Sequence, residues 1–309
     1  MDFNEFKETI IKYLKEDYGE ENITCKEYRK NNSSIRTGIT VRRDKINIFP
    51  MVYLENYYEE LDKGRDIEEI AQMIALTLKK AELDEVFDVE FITDYENIKD
   101  KVFIKVINTE KNKELLESVP HFDYLDVSIV FYVGVKLPEK EKGSILITNS
   151  LFDMFDVKLD TLYADAKKNN RYVNNLYLKP IEEVLIEIFK ETCKIKGISE
   201  EEFMNELPLD EMSNSLFVLS NESRTFGAAY LCDQETLSYF AATINEGFYI
   251  IPSSIHELIL IPESKVDDSG YLIEMVRTIN EQEVPAEDIL SDNVYYFNKC
   301  EKNVTLITE

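Results

Sequence analysis

The sequence predicts an α+β fold made of two α+β halves, each a mostly antiparallel sheet covered by amphipathic helices. Short apolar runs rich in isoleucine and valine alternate with helical stripes that repeat every three or four residues. Several successive strands are separated by only a few residues, which favours hairpins over the long crossovers of a parallel sheet. The element order β-β-α-β-β-α-β near the C-terminus predicts helices on one face of such a sheet.

The N-terminal half begins with a helix whose apolar stripe starts at Phe3. Asp2 and Glu5 form a capping pair at its start, and Gly19 is expected to end it. The clearest amphipathic helix has its stripe from Ile67 to Ala81, and we expect it to cover a sheet. The other predicted elements are strands at 23–28, 37–43, 46–54, 102–107, 125–135 and 144–148, and helices at 110–119, 151–155 and 159–166.

A polar run at 167–175 interrupts the helical periodicity and predicts a hinge or domain boundary. We therefore expect an N-terminal domain over residues 1–169 and a C-terminal domain over residues 176–309. The C-terminal domain is expected to begin with a helix that has Pro180 in its first turn. After an acidic connector at 200–212, the predicted elements are strands at 216–219, 226–231 and 294–297 and helices that begin at Asp233 and Ser269.

The composition limits the classes of partner. The chain has 309 residues and a formal net charge of −26, from 61 acidic and 35 basic residues. Such a charge repels phosphate backbones and anionic lipids, so we expect no direct binding to nucleic acid and none to membranes. The acidic residues are dispersed along the chain, which favours a role in solubility over imitation of nucleic acid.

The cysteines and the N-terminus indicate the compartment. The four cysteines (Cys25, Cys193, Cys232, Cys300) form no CxxC pair, as is typical of a reducing cytosol. The first residues show no basic stretch followed by an apolar run, so no signal peptide is predicted. No apolar run reaches the roughly 18 residues of a membrane-spanning helix. We therefore expect a soluble cytoplasmic protein.

The segment Phe248–Pro262 is the most distinctive in the chain. Two apolar arms flank a polar centre, and a proline borders each arm, at Pro252 and Pro262. This symmetry predicts a β-hairpin at the centre of the C-terminal sheet. The S-x-x-E spacing of Ser254 and Glu257 predicts one helical turn with a capping box at the tip of the hairpin.

The same hairpin carries the candidate functional residues. His256, one of only two histidines in the chain, lies between the arms, and it could act as a general base or a ligand-binding group. In a structural interpretation, His256 is instead a satisfied histidine in a self-capped turn. The candidate catalytic residues are His256, Ser253, Ser254 and Glu257, and the candidate ligand-binding residues are Asn221, Arg224 and Asp292, of which Asp292 could accept a hydrogen bond from His256.

Common catalytic and cofactor motifs are missing from the sequence. The glycine-rich phosphate loops, the G-x-S-x-G nucleophile motif, H-E-x-x-H and paired C-x-x-C do not occur. His121, Asp123 and Asp126 lie on one predicted loop, but three such donors on a loop are common by chance. No cofactor and no metal site are predicted.

Ten short segments along nearly the whole chain match the pattern of one family. They are 53–59, 88–91, 106–108, 111–116, 147–149, 219–221, 227–229, 251–257, 275–281 and 284–294. Among them are Ile251-Pro-Ser-Ser-Ile-His-Glu257 and Gly227-Ala-Ala229. In these segments the chain resembles the bacterial DUF5688 family, a domain of unknown function. The resemblance implies no activity, cofactor or catalytic residue.

Three functional hypotheses fit the sequence. The leading one is a non-catalytic interaction or regulatory module with a protein partner, since catalytic motifs are missing and the chain is acidic and rich in aromatic residues. The alternative is a hydrolase or small-ligand enzyme whose pocket is built around His256. The third is an acidic mimic of nucleic acid that binds a basic protein.

Overall fold

The computed structural model describes residues 1–42, 51–80, 89–136, 142–196 and 216–307. The chain divides into two compact units, Met1–Asp94 with Val135–Ser144, and Tyr95–Gly134 with Ile145–Glu309. Helices and antiparallel strands occur in both units, which confirms the predicted α+β class. Within the described ranges, no helix is long and apolar enough to cross a membrane.

The units divide the chain differently from the predicted domains, because the boundary expected at 170–175 lies inside the second unit. This polar run belongs in part to a helix, Leu159–Tyr172, that binds the strand Val102–Asn108. Asn169 Nδ2 donates to the first carbonyl of that strand at 2.9 Å, and Asn170 Oδ1 accepts from its third N–H at 2.8 Å. The polar residues therefore satisfy the backbone of a strand at the edge of its sheet.

The first unit is built on a three-stranded antiparallel sheet in the order β1-β2-β3. The N-terminal helix packs through fully buried Phe6, Ile10 and Leu14 in the same core as Ile70 and Ile74 of the helix predicted from its apolar stripe. The elements are α1 (Phe3–Tyr18), β1 (Ile23–Arg29), β2 (Ile35–Val41), β3 (Met51–Tyr53), α2 (Leu54–Asp62), α3 (Ile67–Lys80) and α4 (Val89–Thr93).

The predicted start and end of α1 are confirmed. Asp2 Oδ1 accepts from the Glu5 N–H at 2.9 Å, and the Asp2 N–H donates to the Glu5 carboxylate at 3.0 Å, which is a complete capping box. Gly19 ends the helix with a φ of 81°, a backbone conformation that favours glycine. The strand predicted at 46–54 ends one residue earlier in the structure, because Leu54 is the first residue of α2. Residues 46–50 of that prediction lie outside the described residues.

The other described strands form a four-stranded and a six-stranded sheet. In the smaller sheet, β6 pairs with β4, β5 and β7, and in the larger sheet the order is β13-β12-β10-β11-β9-β8. The elements of the smaller sheet and its helices are α5 (Tyr95–Ile98), β4 (Val102–Asn108), α6 (Lys113–Leu116), β5 (His121–Tyr124), β6 (Val127–Lys136), β7 (Lys142–Leu146), α7 (Asn149–Phe152) and α8 (Leu159–Tyr172). The larger sheet and its helices comprise β8 (Leu176–Pro180), α9 (Ile181–Lys196), β9 (Phe217–Asn221), α10 (Gln234–Ile244), β10 (Phe248–Pro252), β11 (Leu258–Pro262), α11 (Ser269–Gln282), β12 (Val294–Asn298) and β13 (Asn303–Ile307).

The predicted hairpin is confirmed as the centre of the six-stranded sheet, since β10 and β11 pair with each other and are flanked by β12 and β9. Helices cover both faces of this sheet rather than the one face predicted. Phe240 of α10 contacts Phe248 edge to face, with ring centroids 4.9 Å apart. On the other face, Val276 of α11 lies in a core cluster with Ile251 and Ile261. Burial on both faces explains why the two arms are continuously apolar instead of alternating.

Two predicted elements near the hairpin are wrong. Residues 226–231 were expected to form a strand, but Gly227–Cys232 is a 3₁₀ helix preceded by Phe226 with a φ of 57°. A short apolar run does not distinguish strand from helix, and a positive φ is incompatible with an extended strand. Pro180 is the last residue of β8, so the strand Leu176–Pro180 was missed and α9 begins one residue later than expected.

The buried tyrosines of the second unit predict alkaline instability. Burial raises the pKa of Tyr132 to about 12 and that of Tyr230 to about 12. The pKa of an unfolded tyrosine is about 10, so the stability that these neutral phenols contribute is complete below pH ~10. That contribution is lost as the pH rises towards about 12. We expect the tyrosine absorbance of the 18 tyrosines to titrate in two phases, with the second accompanied by unfolding.

Two variants assign these phases. Tyr132→Phe should reduce the amplitude of the phase near pH 12 by the absorbance of one tyrosine. Tyr239→Phe is the matched control for the loss of one tyrosine, because that side chain is 64% exposed. A single transition near pH ~10 for every tyrosine would contradict the expectation.

Candidate functional site

The loop between β10 and β11, residues 253–257, contains four of the predicted site residues. Ser254 Oγ accepts from the His256 N–H at 3.0 Å, and the Ser254 N–H donates to the Glu257 carbonyl at 3.3 Å. The loop is therefore a serine turn and not the predicted helical turn with a capping box. The capping box would require the Ser254 hydroxyl to accept from the N–H three residues on, and it binds the N–H two residues on instead.

The loop is held in place through the backbone of Ile255. This side chain is only 3% exposed. Its N–H donates to the carbonyl of Asp288 at 2.8 Å, and its carbonyl accepts from the N–H of Ala228 at 3.4 Å. The tip of the hairpin is thus joined to the 3₁₀ helix on one side and to the segment after α11 on the other.

Both ring nitrogens of His256 have partners. Nδ1 accepts from the Phe226 N–H at 3.2 Å, so in the neutral ring the hydrogen is on Nε2. Nε2 lies 3.4 Å from Oδ1 of Asp288. The ring of Phe226 stacks on the imidazole with centroids 5.5 Å apart and 15° between the planes. The imidazole is one-third exposed and is oriented by three contacts.

Gly227 allows the closest approach at this site. A Cβ atom on this residue would lie 2.2 Å from Ser220 Oγ and 2.6 Å from the His256 carbonyl oxygen. The Ser220 hydroxyl itself donates to that carbonyl at 2.8 Å. Only glycine therefore permits the hydrogen bonds by which β9 and Phe226 hold the hairpin loop.

Asn221 is placed as a turn-forming residue. It is 2% exposed. Its Oδ1 accepts from the Ser223 hydroxyl at 2.8 Å and from the Thr225 N–H at 3.1 Å, while Nδ2 donates to the Thr225 carbonyl at 2.8 Å. These bonds close the turn that follows β9 and use both ends of the amide.

Arg224 is held on a neighbouring surface by an aromatic ring and a carboxylate. Its guanidinium lies 4.8 Å from the centroid of the Tyr177 ring and donates to the Tyr177 hydroxyl at 2.6 Å. Glu187 accepts from Lys179 and from the Tyr177 hydroxyl and lies 3.5 Å from Arg224. The hydrogen bonds from Lys179 and then from Tyr177 lower the pKa of the Glu187 carboxyl.

The carboxylate that faces His256 belongs to Asp288 rather than to Asp292. Asp292 accepts from Asn280 Nδ2 at 2.8 Å through Oδ1 and lies 3.3 Å from Lys111 Nζ through Oδ2. The sequence did not distinguish the two aspartates, since both lie in the segment between α11 and β12. Asp288 is the aspartate beside His256 because its carbonyl accepts the hydrogen bond from the Ile255 N–H of the hairpin loop.

Asp126 is the centre of a second polar cluster. Its carboxylate accepts from Ser291 Oγ at 2.5 Å, Asn293 Nδ2 at 2.9 Å and the Tyr295 hydroxyl at 2.7 Å. Tyr295 is fully buried. Burial and the nearby charge of Asp126 raise the pKa of the Tyr295 hydroxyl well above the ordinary value of a tyrosine. The cluster joins the turn before β6 to the start of β12.

His121 and Asp123 lie in the strand β5 and not on the predicted loop. His121 Nδ1 lies 3.0 Å from the Val119 carbonyl, and Asp123 accepts from the Ser128 hydroxyl at 3.3 Å. In the part of the chain that the structure describes, no group of three or more His, Cys, Asp or Glu side chains could hold a metal ion.

An open apolar groove of about 220 Å³ lies between α11 and the β10–β11 hairpin. The sequence did not predict it, because its walls come from separate segments whose apolar residues could equally have been core. Ser253 is the one predicted site residue in its wall. The lining residues are Leu216, Ile251, Pro252, Ser253, Ile259, Ile261, Met275, Val276, Ile279 and Asn280.

Asn280 is one of the residues that line the groove. The residue is 5% exposed. Its Nδ2 donates to the Ser291 carbonyl at 3.0 Å and to Asp292 Oδ1 at 2.8 Å. Both of these partners are acceptors, which fixes the orientation of the amide. The other end, Asn280 Oδ1, makes no hydrogen bond to any residue that the structure describes.

The protein is of the α+β class, with an open apolar groove between α11 and the β10–β11 hairpin. The loop of the same hairpin carries a histidine that is held by its neighbours. The chain belongs to the DUF5688 family, a family of unknown function, whose model matches residues 3–299. The resemblance stated from the sequence is thereby confirmed. Searches of curated proteins and of solved structures return no match.

The close approach at Gly227 predicts a large effect of one methyl group. Gly227→Ala should lower the free energy of unfolding by about 3 kcal/mol or more, because the added Cβ meets backbone that cannot move independently. Urea unfolding gives the loss, and hydrogen exchange should show that β10 and β11 lose protection.

Gly270→Ala is the matched control in the same unit. The nearest atom to its Cβ would be the flexible Asp268 Oδ1 at 3.2 Å, and alanine is the better helix former by about 1 kcal/mol. Equal stability of the two alanine variants would show that the His256 carbonyl and Gly227 are not in close contact.

Proposed function

We propose that this protein is a non-catalytic interaction module, and that the groove between α11 and the β10–β11 hairpin is its docking surface. The observation that carries the proposal is the groove itself. Apolar side chains line a concave surface of about 220 Å³ and are not covered by any residue that the structure describes. At its rim, Ile279 is 43% exposed. A concave apolar surface is the usual place for a ligand or a partner's anchoring side chain.

The environment of His256 supports this proposal over the enzyme hypothesis. A general base needs a free lone pair, and the lone pair of Nδ1 accepts from the Phe226 N–H. Nε2 carries the hydrogen in this tautomer and faces Asp288 at 3.4 Å. Among the described residues, no hydrogen bond joins the hydroxyl of Ser253 or Ser254 to the imidazole. The histidine therefore serves to orient the loop.

The other predicted site residues support the same conclusion. Asn221 uses its amide to close a turn, and Arg224 is stacked on Tyr177. Asp292 is bound by Asn280 and Lys111. Each is occupied by a neighbour within the second unit, which favours a role in holding the loops around the groove over direct contact with a substrate.

Site-specific photo-crosslinking tests the docking role of the groove. A benzophenone side chain in place of Ile279, in the groove wall, should form a discrete covalent adduct with a protein in lysate of the source organism. An excess of unlabelled wild-type protein should suppress that adduct. Ile279 is in the groove wall, so a side chain of a partner bound in the groove would lie within reach of the benzophenone.

The matched control is the same benzophenone at Tyr271. This residue lies on the same helix, is 67% exposed and is not part of the groove wall. It should give no competed adduct. Equal crosslinking at both positions would mean non-specific contact, and no competed adduct at Ile279 would contradict the proposed docking surface.

A further inference from the structure

The two histidines of the chain differ in the partner of Nδ1. His121 Nδ1 lies 3.0 Å from the Val119 carbonyl, which can only accept, so this nitrogen carries a hydrogen whether the ring is neutral or cationic. The Phe226 N–H, which can only donate, points at His256 Nδ1 at 3.2 Å. That nitrogen accepts only while it carries no hydrogen, so this bond requires a neutral ring. Histidine is also the side chain whose charge changes between about pH 5 and pH 8.

The backbone on both sides of the bond to Phe226 is fixed. Phe226 has a φ of 57°, and a Cβ atom on the next residue, Gly227, would lie 2.6 Å from the His256 carbonyl oxygen. The Ser220 hydroxyl donates to that same carbonyl at 2.8 Å. A hydrogen on Nδ1 would therefore meet the hydrogen of the Phe226 N–H. Two donors that face each other at this distance repel, because both hydrogens carry partial positive charge.

A carboxylate beside the other ring nitrogen favours the cationic ring. Asp288 Oδ1 lies 3.4 Å from His256 Nε2, and Asp288 belongs to the segment after α11. This contact becomes an ion pair when the imidazole gains a proton. Within the hairpin loop itself, the charged neighbour is Glu257. The two ring nitrogens therefore have opposite requirements, since one bond needs the neutral imidazole and the other is stronger with the cation.

Two further titratable groups face the site through the ring of Phe226. Its centroid lies 4.5 Å from Lys105 Nζ on β4 and 5.1 Å from the centroid of the Tyr132 ring on β6. Tyr132 stays neutral at physiological pH, because burial raises its pKa to about 12. The positive charge of Lys105 opposes a second cation stacked on Phe226. This repulsion acts in the same direction as the clash at Nδ1, away from the 3₁₀ helix.

We propose that protonation of His256 releases the hairpin loop from the 3₁₀ helix and thereby changes the adjacent wall of the groove. The neutral imidazole joins Phe226 to the loop, and the cationic imidazole keeps only the carboxylate beside Nε2. The loop, residues 253–257, begins at Ser253, which lies in the groove wall together with Ile251 of β10. The change in the groove bears on docking only through the proposed function, whereas the release of the loop is independent of it.

Hydrogen exchange of the Phe226 amide measures this bond directly, since Nδ1 of His256 is its acceptor. After correction for the intrinsic rate, its protection in the wild-type protein should fall about tenfold between about pH 7.5 and about pH 5.5. Imidazole ¹⁵N shifts on the same samples should show the Nε2–H tautomer at the higher pH and then follow proton uptake. The Ile251 methyl signals should shift with the same midpoint as the imidazole.

His256→Asn separates the charge from the hydrogen bond. Asparagine places an acceptor oxygen at the position of Nδ1 and takes up no proton in this range, so the Phe226 amide should be equally protected at both pH values. The matched control is the same substitution at the other histidine, His121→Asn, which should keep the tenfold response. The wild-type titration and His121→Asn decide the proposal even where His256→Asn does not fold.

Several results would overturn the proposal. Constant protection of the Phe226 amide while His256 takes up its proton means that the loop is not released. A tenfold fall that persists in His256→Asn, or that disappears in His121→Asn, assigns the response to another group. Ile251 methyl signals that stay constant while the Phe226 amide loses protection overturn the change in the groove wall. None of these measurements needs a partner, so the crosslinking at Ile279 tests the docking role separately.

Discussion

The arrangement around the hairpin loop depends on the contact between Gly227 and the backbone of His256. With no Cβ at this position, the 3₁₀ helix lies against the carbonyl of His256. That distance brings the Phe226 N–H to Nδ1 of the imidazole and lets Ser220 donate to the same carbonyl. The loop, β9 and the 3₁₀ helix thereby fix one another. A histidine in this environment has an orienting role, because its hydrogen-bonding capacity is used within the fold.

The groove follows from the way the six-stranded sheet is covered. α10 and α11 pack on opposite faces of the sheet, with Phe240 against Phe248 on one face and Val276 in a cluster with Ile251 on the other. An open groove remains between α11 and the hairpin, and Ile279 in its wall is 43% exposed. The segment after α11 supplies the acceptors that orient Asn280 in the wall of this groove. The same segment provides Asp288 to His256. One stretch of chain therefore supports both the loop and the groove.

The sequence predicts those features whose determinants are local. The capping box of Asp2 and Glu5 spans one helical turn, and the hairpin arms are marked by two prolines, so both were found. The sequence does not predict the positive φ of Phe226, because the hydrogen bond that accompanies it is made to a histidine thirty residues away. The pairing of His256 with Asp288 depends equally on distant backbone contacts. The site residues could be located in one loop, but their partners could not be assigned without the fold.

The cluster around Asp126 has a consequence for the order of folding. Its three side-chain bonds reach residues 165, 167 and 169 positions later in the chain. Bringing together residues so far apart in the chain costs conformational entropy before their contacts form. The formation of this cluster is therefore expected to be slow. During synthesis the strands β4 to β6 leave the ribosome long before β12, and their turn has no partner in the interval. The hydrogen bonds of the Asp126 cluster therefore form late, and nascent chains expose the turn before β6 until β12 emerges.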